Sequence, residues 1–505
     1  MTKANRHLSG ILAAILVSVI GMLSVYIAGN ARGYDPSLLV LFRNALMMGA
    51  FVLVYLVLKN QYKGDFRILV LVAFLTGIGF IVQYRISSAI NVDFQETLIR
   101  QYSAAASDKM RTDSLATSRL PVEDELVSER SVDAIKEEAK ELLRLDDMTP
   151  GQFIGDFFAS VPGWSRVIIS YLLALFLLFF LIKKCASDSF MDSLSKPFFW
   201  ITLTVVLLFV FVALSEVKTR GRFVYQMTPW EAFKLTIVIF LAGFFAKFKE
   251  DFTRERPKIR GQRLKRLLIP WGPFLLIWMI PQLLFVLLKD FGQVIIYGGL
   301  VVVMIFVITK RYIYLFGGIA ITVISTKLIL MAGDFLPAHV MQRFRIWSDI
   351  WALPHNEAWW NSVYQIMNSF FALNAGGVAG TGLGLGYPTN IPLVVSDFVY
   401  SAISEEMGFI GAAVILLSYL VLFFLGMRVA VQADDDFEKL LATGFSTILA
   451  IQVFVNIGGV IKLIPLTGIT LPFISRGGFS FLISFIIIGF LMGISHRNGK
   501  RALNS

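Results

Sequence analysis

Apolar runs of roughly 17 to 25 residues recur along this chain, and each can cross the hydrocarbon core of a bilayer as a helix. Inside hydrocarbon every backbone N–H and C=O must be satisfied within its own segment, so the recurrence predicts an all-α, polytopic transmembrane helix bundle. About twelve spans can be drawn, near 8–28, 38–58, 66–84, 164–182, 198–214, 230–246, 267–288, 291–309, 313–331, 409–427, 440–464 and 481–494. A large extracytoplasmic loop is expected between the ninth and tenth. With 56% hydrophobic and 16% charged residues, the chain is far more apolar than a soluble domain.

The formal charge of +11 invites a nucleic-acid reading, but its placement argues for a membrane surface and no nucleic acid. Bases crowd into short loops of one parity. The 247–266 loop alone carries Lys247, Lys249, Arg254, Arg256, Lys258, Arg260, Arg263, Lys265 and Arg266, the mark of a cytoplasmic loop. Counting from there puts both termini, 59–67, 183–196 and the C-terminal HRNGKR inside, in a cytoplasmic-membrane, multi-pass arrangement. The same count puts 87–163 and the loop around Asp397 outside. The first span is too long for a cleaved signal peptide and is read as a retained helix. Cys185 is the single cysteine, so an intramolecular disulfide is excluded. The histidines His7, His339, His355 and His496 show no metal-ligand spacing.

Three parts emerge from this reading: N-terminal transmembrane helices at 1–86, an acidic extracytoplasmic insertion at 87–163, and a membrane core at 164–505 with a candidate catalytic loop at 334–408. The insertion contains VEDELVSERSVDAIKEEAKELLRLDD, whose apolar positions follow a helical period. It is read either as a solvated linker or as a docking element.

Chemistry concentrates between 364 and 410, where a glycine-rich polar stretch and the acids Asp397, Glu405 and Glu406 lie between apolar runs. An ionisable group beside lipid is costly and points to function; solvated loop acids are the bland alternative. The run NAGGVAGTGLGLGYP lacks the GK[ST] ending of a nucleotide loop. It suits either a re-entrant loop over a polar cavity or tight helix packing. Arg343 and Arg345 stand where guanidinium groups can clamp a diphosphate or simply snorkel. Glu231 and Lys234 share a helix face and can pair, Lys289 and Asp290 sit at a span end, and Lys462 and Arg476 fall among helix breakers in the last outer segment.

Together these motifs resemble the SEDS (shape, elongation, division, sporulation) family of RodA- and FtsW-like proteins. The resemblance rests on GGVAGTGLGLG, SDF followed by EEMG, NIGG with LIPLTGITLPFISRGGFS, PWEAFK and KDFG in the family's order, over about 228–494. It implies a peptidoglycan glycosyltransferase that polymerises lipid II by inverting glycosyl transfer at the outer membrane face. A class B penicillin-binding protein and other cell-wall elongation or division proteins are its implied partners. It makes Asp397 the catalytic carboxylate, assigned as the base, with Glu405 and Glu406 structural or shaping cavity polarity. Arg343, Arg345, Lys462 and Arg476 remain candidates for the diphosphate, alone or with a divalent cation, Mg²⁺ or Mn²⁺, and Glu231, Lys234, Asp290, Glu405 and Glu406 complete the set of candidate substrate-binding residues. The rivals are a lipid II flippase and a non-catalytic scaffold that activates a transpeptidase. The chain departs from the family at Leu288 to Gly292 and at Ser475 to Ser480.

Overall fold

The computed structural model describes residues 3–32, 37–87, 163–197, 230–253, 291–331, 338–350, 357–476 and 478–504, with isolated positions at 199, 200, 203, 274, 278, 279, 282, 283 and 285. Residues 1–89 and 170–505 form one compact unit. The acidic insertion and most of the expected spans at 198–214 and 267–288 lie outside the described residues, as does Asp290.

The described secondary structure is helical. Along the chain come α1 (Lys3–Ala31), α2 (Leu38–Leu58), α3 (Arg67–Ser87), α4 (Gly163–Lys184), α5 (Asp188–Leu194), α6 (Trp230–Lys247), α7 (Lys249–Thr253), α8 (Phe291–Thr309), α9 (Tyr312–Met331), α10 (Ala338–Ser348), α11 (Glu357–Gly376), α12 (Val399–Val431), α13 (Asp436–Val460) and α14 (Gly478–Asn504). Among the described residues seven helices are long and apolar enough to cross a membrane, or eight if the pair α4–α5, bent by 107°, counts as one span. The protein is a multi-pass membrane protein.

Helix α1 shows how lipid replaces water as the outer solvent. Ile11, Ala14, Ser18, Met22 and Val25 recur at helical spacing and are buried, while Leu12, Leu16, Ile20, Leu23 and Ile27 cover the opposite side and are exposed. A soluble protein does not leave such an apolar face open; hydrocarbon satisfies it at no cost. Helix α13 sits at the centre, against α6, α8, α12 and α14. It starts where Asp435 accepts a hydrogen bond from the Glu438 N–H, a side-chain N-cap. Small residues let its neighbours close in: a Cβ at Gly444 would lie 2.7 Å from Val238 on α6. At this end Arg497 and Arg501 of α14 both grip the buried Glu438.

The expected outer loop at 334–408 is largely helical. It contains α10, α11 and the first turns of α12, which begins at Val399 rather than near 409. Apolar periodicity missed this start because residues 399–407 carry Ser401, Ser404, Glu405 and Glu406, all buried against protein. The helix is interrupted at Gly408, whose φ of 65° is left-handed. There Val378 O and Gly380 N would lie within about 2.5 Å of any Cβ, so only glycine fits.

Candidate functional site

Three stretches meet beside the N-terminal end of α12: the 377–398 segment, the end of α3, and residues 461–476. The glycine-rich segment is fastened to α12 by backbone hydrogen bonds. Thr381 N donates to Glu405 O at 2.9 Å, Gly382 N to Glu406 O at 3.0 Å, and Phe409 N to Gly377 O at 2.9 Å. Approach is so close that a Cβ at Gly380, whose φ is +88°, would lie 2.3 Å from Glu406 O.

The side chains of Glu405 and Glu406 turn to the same segment. Glu406 accepts from Gly384 N at 3.1 Å and from Arg85 Nε at 2.9 Å. Glu405 accepts from Tyr387 N at 2.8 Å. Arg85 also donates to the Gly386 carbonyl at 3.0 Å, and Arg32, the residue after α1, donates to the same carbonyl at 3.2 Å, with its guanidinium 5.0 Å from the Tyr387 ring centroid. Both carboxylates thus hold protein groups. A small cavity lies alongside, lined by Arg85, Glu406, Val82, Leu383, Pro388 and Met407 among others.

Asp397 sits on the turn leading into α12 and is half-buried. Its surroundings are tied to 461–476 and to α3. Asn456 Nδ2 donates to the Asp397 carbonyl at 2.9 Å and to the Ile469 carbonyl at 2.6 Å. Arg476 N donates to Val395 O at 2.7 Å, and Ser475 Oγ to Ser396 O at 2.5 Å. Gln83 Nε2 on α3 donates to Val395 O at 3.1 Å and Ile474 O at 3.2 Å. The carboxylate itself stands beside the backbone of Gly468, where a Cβ would be 3.5 Å from Oδ2. Burial pushes the Asp397 carboxyl above its ordinary value, opposed by a hydrogen bond with the Ser396 side chain and by the Arg343 guanidinium. A carboxylate with raised proton affinity is a better acceptor for the proton of a hydroxyl.

The other predicted residues divide. Arg343 is exposed on α10 and its charge acts on Asp397; Arg345 is exposed on the same helix. Lys462, half-buried, has a left-handed φ of 60°, and its carbonyl accepts from Trp347 Nε1 at 3.2 Å. Arg476 is exposed at the end of its segment. Glu231 and Lys234 form a buried pair at 2.8 Å. Lys234 also donates to Gln452 Oε1 at 2.8 Å, and Gln452 Nε2 to the Thr470 carbonyl at 2.9 Å. The pair thereby supports the 461–476 segment from beneath. Among the described residues no three of His, Cys, Asp and Glu cluster to hold a metal ion. The described residues around Asp397 therefore do not make a protein cage for Mg²⁺ or Mn²⁺.

Sequence reasoning passed over Arg32, Gln83, Arg85 and Gln452, and took Asn456 only as the first residue of the NIGG motif. Four of them lie in or at the ends of apolar runs, where a lone polar side chain was the available signal.

Residues 155–500 match the FtsW/RodA/SpoVE family, described as cell cycle proteins. Peptidoglycan glycosyltransferase RodA of Mycobacterium tuberculosis is 34% identical over 274 residues, 54% of this chain and 56% of that protein. The chain therefore spans little more than half the length of such RodA relatives. Probable peptidoglycan glycosyltransferase FtsW of Bacillus subtilis is 31% identical over 360 residues, 68% of this chain and 81% of that protein. A solved chain from a peptidoglycan synthase complex is 24% identical, with a TM-score of 0.49 over 68% of this chain and 91% of its own. The length of the family match and the breadth of the FtsW alignment place this chain in the FtsW/RodA/SpoVE family.

Proposed function

We propose that this protein is a peptidoglycan glycosyltransferase that polymerises lipid II at the outer face of the cytoplasmic membrane, with both termini cytoplasmic, in cell-wall elongation or division. The observation that carries the proposal is Asp397: a half-buried carboxylate whose backbone carbonyl accepts from Asn456 of α13, the same amide that holds the Ile469 carbonyl, and whose carboxyl feels the Arg343 charge. The named activity of its relatives supports the same reading.

In this mechanism Asp397 takes the proton of the acceptor sugar's 4-hydroxyl as its oxygen bonds to the donor's anomeric carbon. The bond from that carbon to the lipid diphosphate breaks with inversion, and the diphosphate leaves as an anion. Arg343, Lys462 and Arg476, on the segments bordering Asp397, supply positive charge to the leaving group. Arg345 on the same helix as Arg343 adds to that field. The described residues around Asp397 do not by themselves make a cage for a resident metal; a Mg²⁺ or Mn²⁺ requirement enters the proposal as an ion brought by the diphosphate. A class B penicillin-binding protein is the proposed partner.

The test is strand formation from purified lipid II by the solubilised protein, with and without such a partner and divalent cation, for wild type and Asp397→Ala. Strands that require Asp397 support the proposal. An inactive wild type with partner and cation supplied overturns it, and a lipid II translocation assay then decides for transport.

A further inference from the structure

We infer that the end of α3 belongs to the catalytic apparatus, with Gln83 and Arg85 acting as positioning residues that set where Asp397 stands. The effect on turnover rests on the polymerase reading; the placement does not.

Residues 1–87 lie outside the 155–500 range of the family match, yet α3 makes the contacts that join the site's separate segments. Gln83 spends its amide on two carbonyls from segments far apart in sequence, Val395 and Ile474. Val395 is two residues before Asp397, and Ile474 two before Arg476. Arg85 is 3% exposed and spends its guanidinium on Glu406 and Gly386. Two residues apart on a helix, side chains leave in directions about 200° apart. One helix end thus reaches the Asp397 segment with one side chain and the glycine-rich segment with the other. The backbones also touch: a Cβ at Gly79 would lie 2.7 Å from Phe473 O.

Such contacts decide geometry more than binding. Asp397 must meet the acceptor hydroxyl at hydrogen-bond reach, and misplacing a reacting group by about 1 Å can cost roughly 10²-fold in rate. A glutamine that bridges two carbonyls fixes a distance between segments, as a packed leucine would not. Arg85 fixes the other flank through a planar fork that lysine cannot reproduce.

The experiment combines hydrogen exchange on the full-length solubilised protein with lipid II polymerisation kinetics, for wild type, Gln83→Met, Arg85→Lys and Arg85→Met. In wild type the amides of Asp397 and Arg476, bonded to Leu393 O and Val395 O, exchange slowly. Gln83→Met speeds exchange in 395–398 and 474–476 but leaves 381–387 unchanged, and lowers kcat about 10²-fold with KM within about threefold. Arg85→Met speeds exchange at 381–387 first, and Arg85→Lys recovers part of the loss. The inference is overturned if folded Gln83→Met keeps kcat within about threefold of wild type, or if kcat and KM change together with exchange raised everywhere. Fast exchange at 395–398 in wild type also overturns it, and that measurement needs no variant. A wild type without activity but with segment-specific exchange changes keeps the placement and removes the polymerase reading alone.

Discussion

Replacing Lys234 by methionine isolates the buried pair beneath the 461–476 segment. Lys234 and Glu231 have side chains 1% and 7% exposed, and the ammonium donates to both Glu231 oxygens and to Gln452 Oε1, each at 2.8 Å. All three of its N–H donors are therefore used. Methionine nearly preserves the volume, so the loss is electrostatic rather than a cavity. It leaves Glu231 as an uncompensated buried charge, which costs about 3–5 kcal/mol. Adding Glu231→Gln removes that charge, and replacing both members of a buried pair is often close to neutral. The double variant therefore recovers most of the stability, and its cost falls short of the summed single costs by about 2 kcal/mol or more. The assay is a double-mutant cycle on unfolding of the solubilised protein, in conditions where unfolding is reversible. Strictly additive effects, or a Lys234→Met cost below about 1 kcal/mol, refute the reasoning and mean that water reaches the pair.

Asp397→Asn is expected to lower polymerisation about 10²- to 10⁴-fold without loss of thermal stability at neutral pH. Because burial raises this carboxyl above its ordinary 3.8, the stability linked to its neutral form is present below that value and lost as pH rises through the folded one. Activity has the opposite sign, falling as pH drops through the raised value, which a kcat/KM profile on the acid side checks. Gly380→Ala combines a left-handed φ with a contact to the Glu406 carbonyl and destabilises by at least about 1–2 kcal/mol. Gly49→Ala, in mid-helix with nothing within 4 Å of the new Cβ, stabilises by about 0.5–1 kcal/mol; equal effects in thermal unfolding would sink the argument. Asp435→Ala removes the α13 cap and costs about 1 kcal/mol in the same measurement.

What could be seen in the sequence depends on how local each signal is. A span needs only its own apolar run, so α1, α2 and α8 appear within a few residues of their expected bounds. The start of α12 was hidden because its first turns bury serines and glutamates against the glycine-rich segment, and a hydropathy run cannot register burial by protein. The motif acids stood out because chemistry demands their residue type. Gln83 and Arg85 did not, since the partners of Gln83 are 312 and 391 residues away and those of Arg85 are 301 and 321. A lone glutamine or arginine at the end of an apolar run looks like interfacial anchoring until the fold brings its acceptors alongside. That difference bears on how such a site is built: the carboxylate proposed to react is announced by its motif, while the groups that tie its segment to α3 and α13 are assembled only by tertiary structure. Substitutions at Arg32, Gln83 and Arg85 are therefore expected to act on turnover through the placement of 386–397, although these residues precede the matched range and belong to none of the motifs.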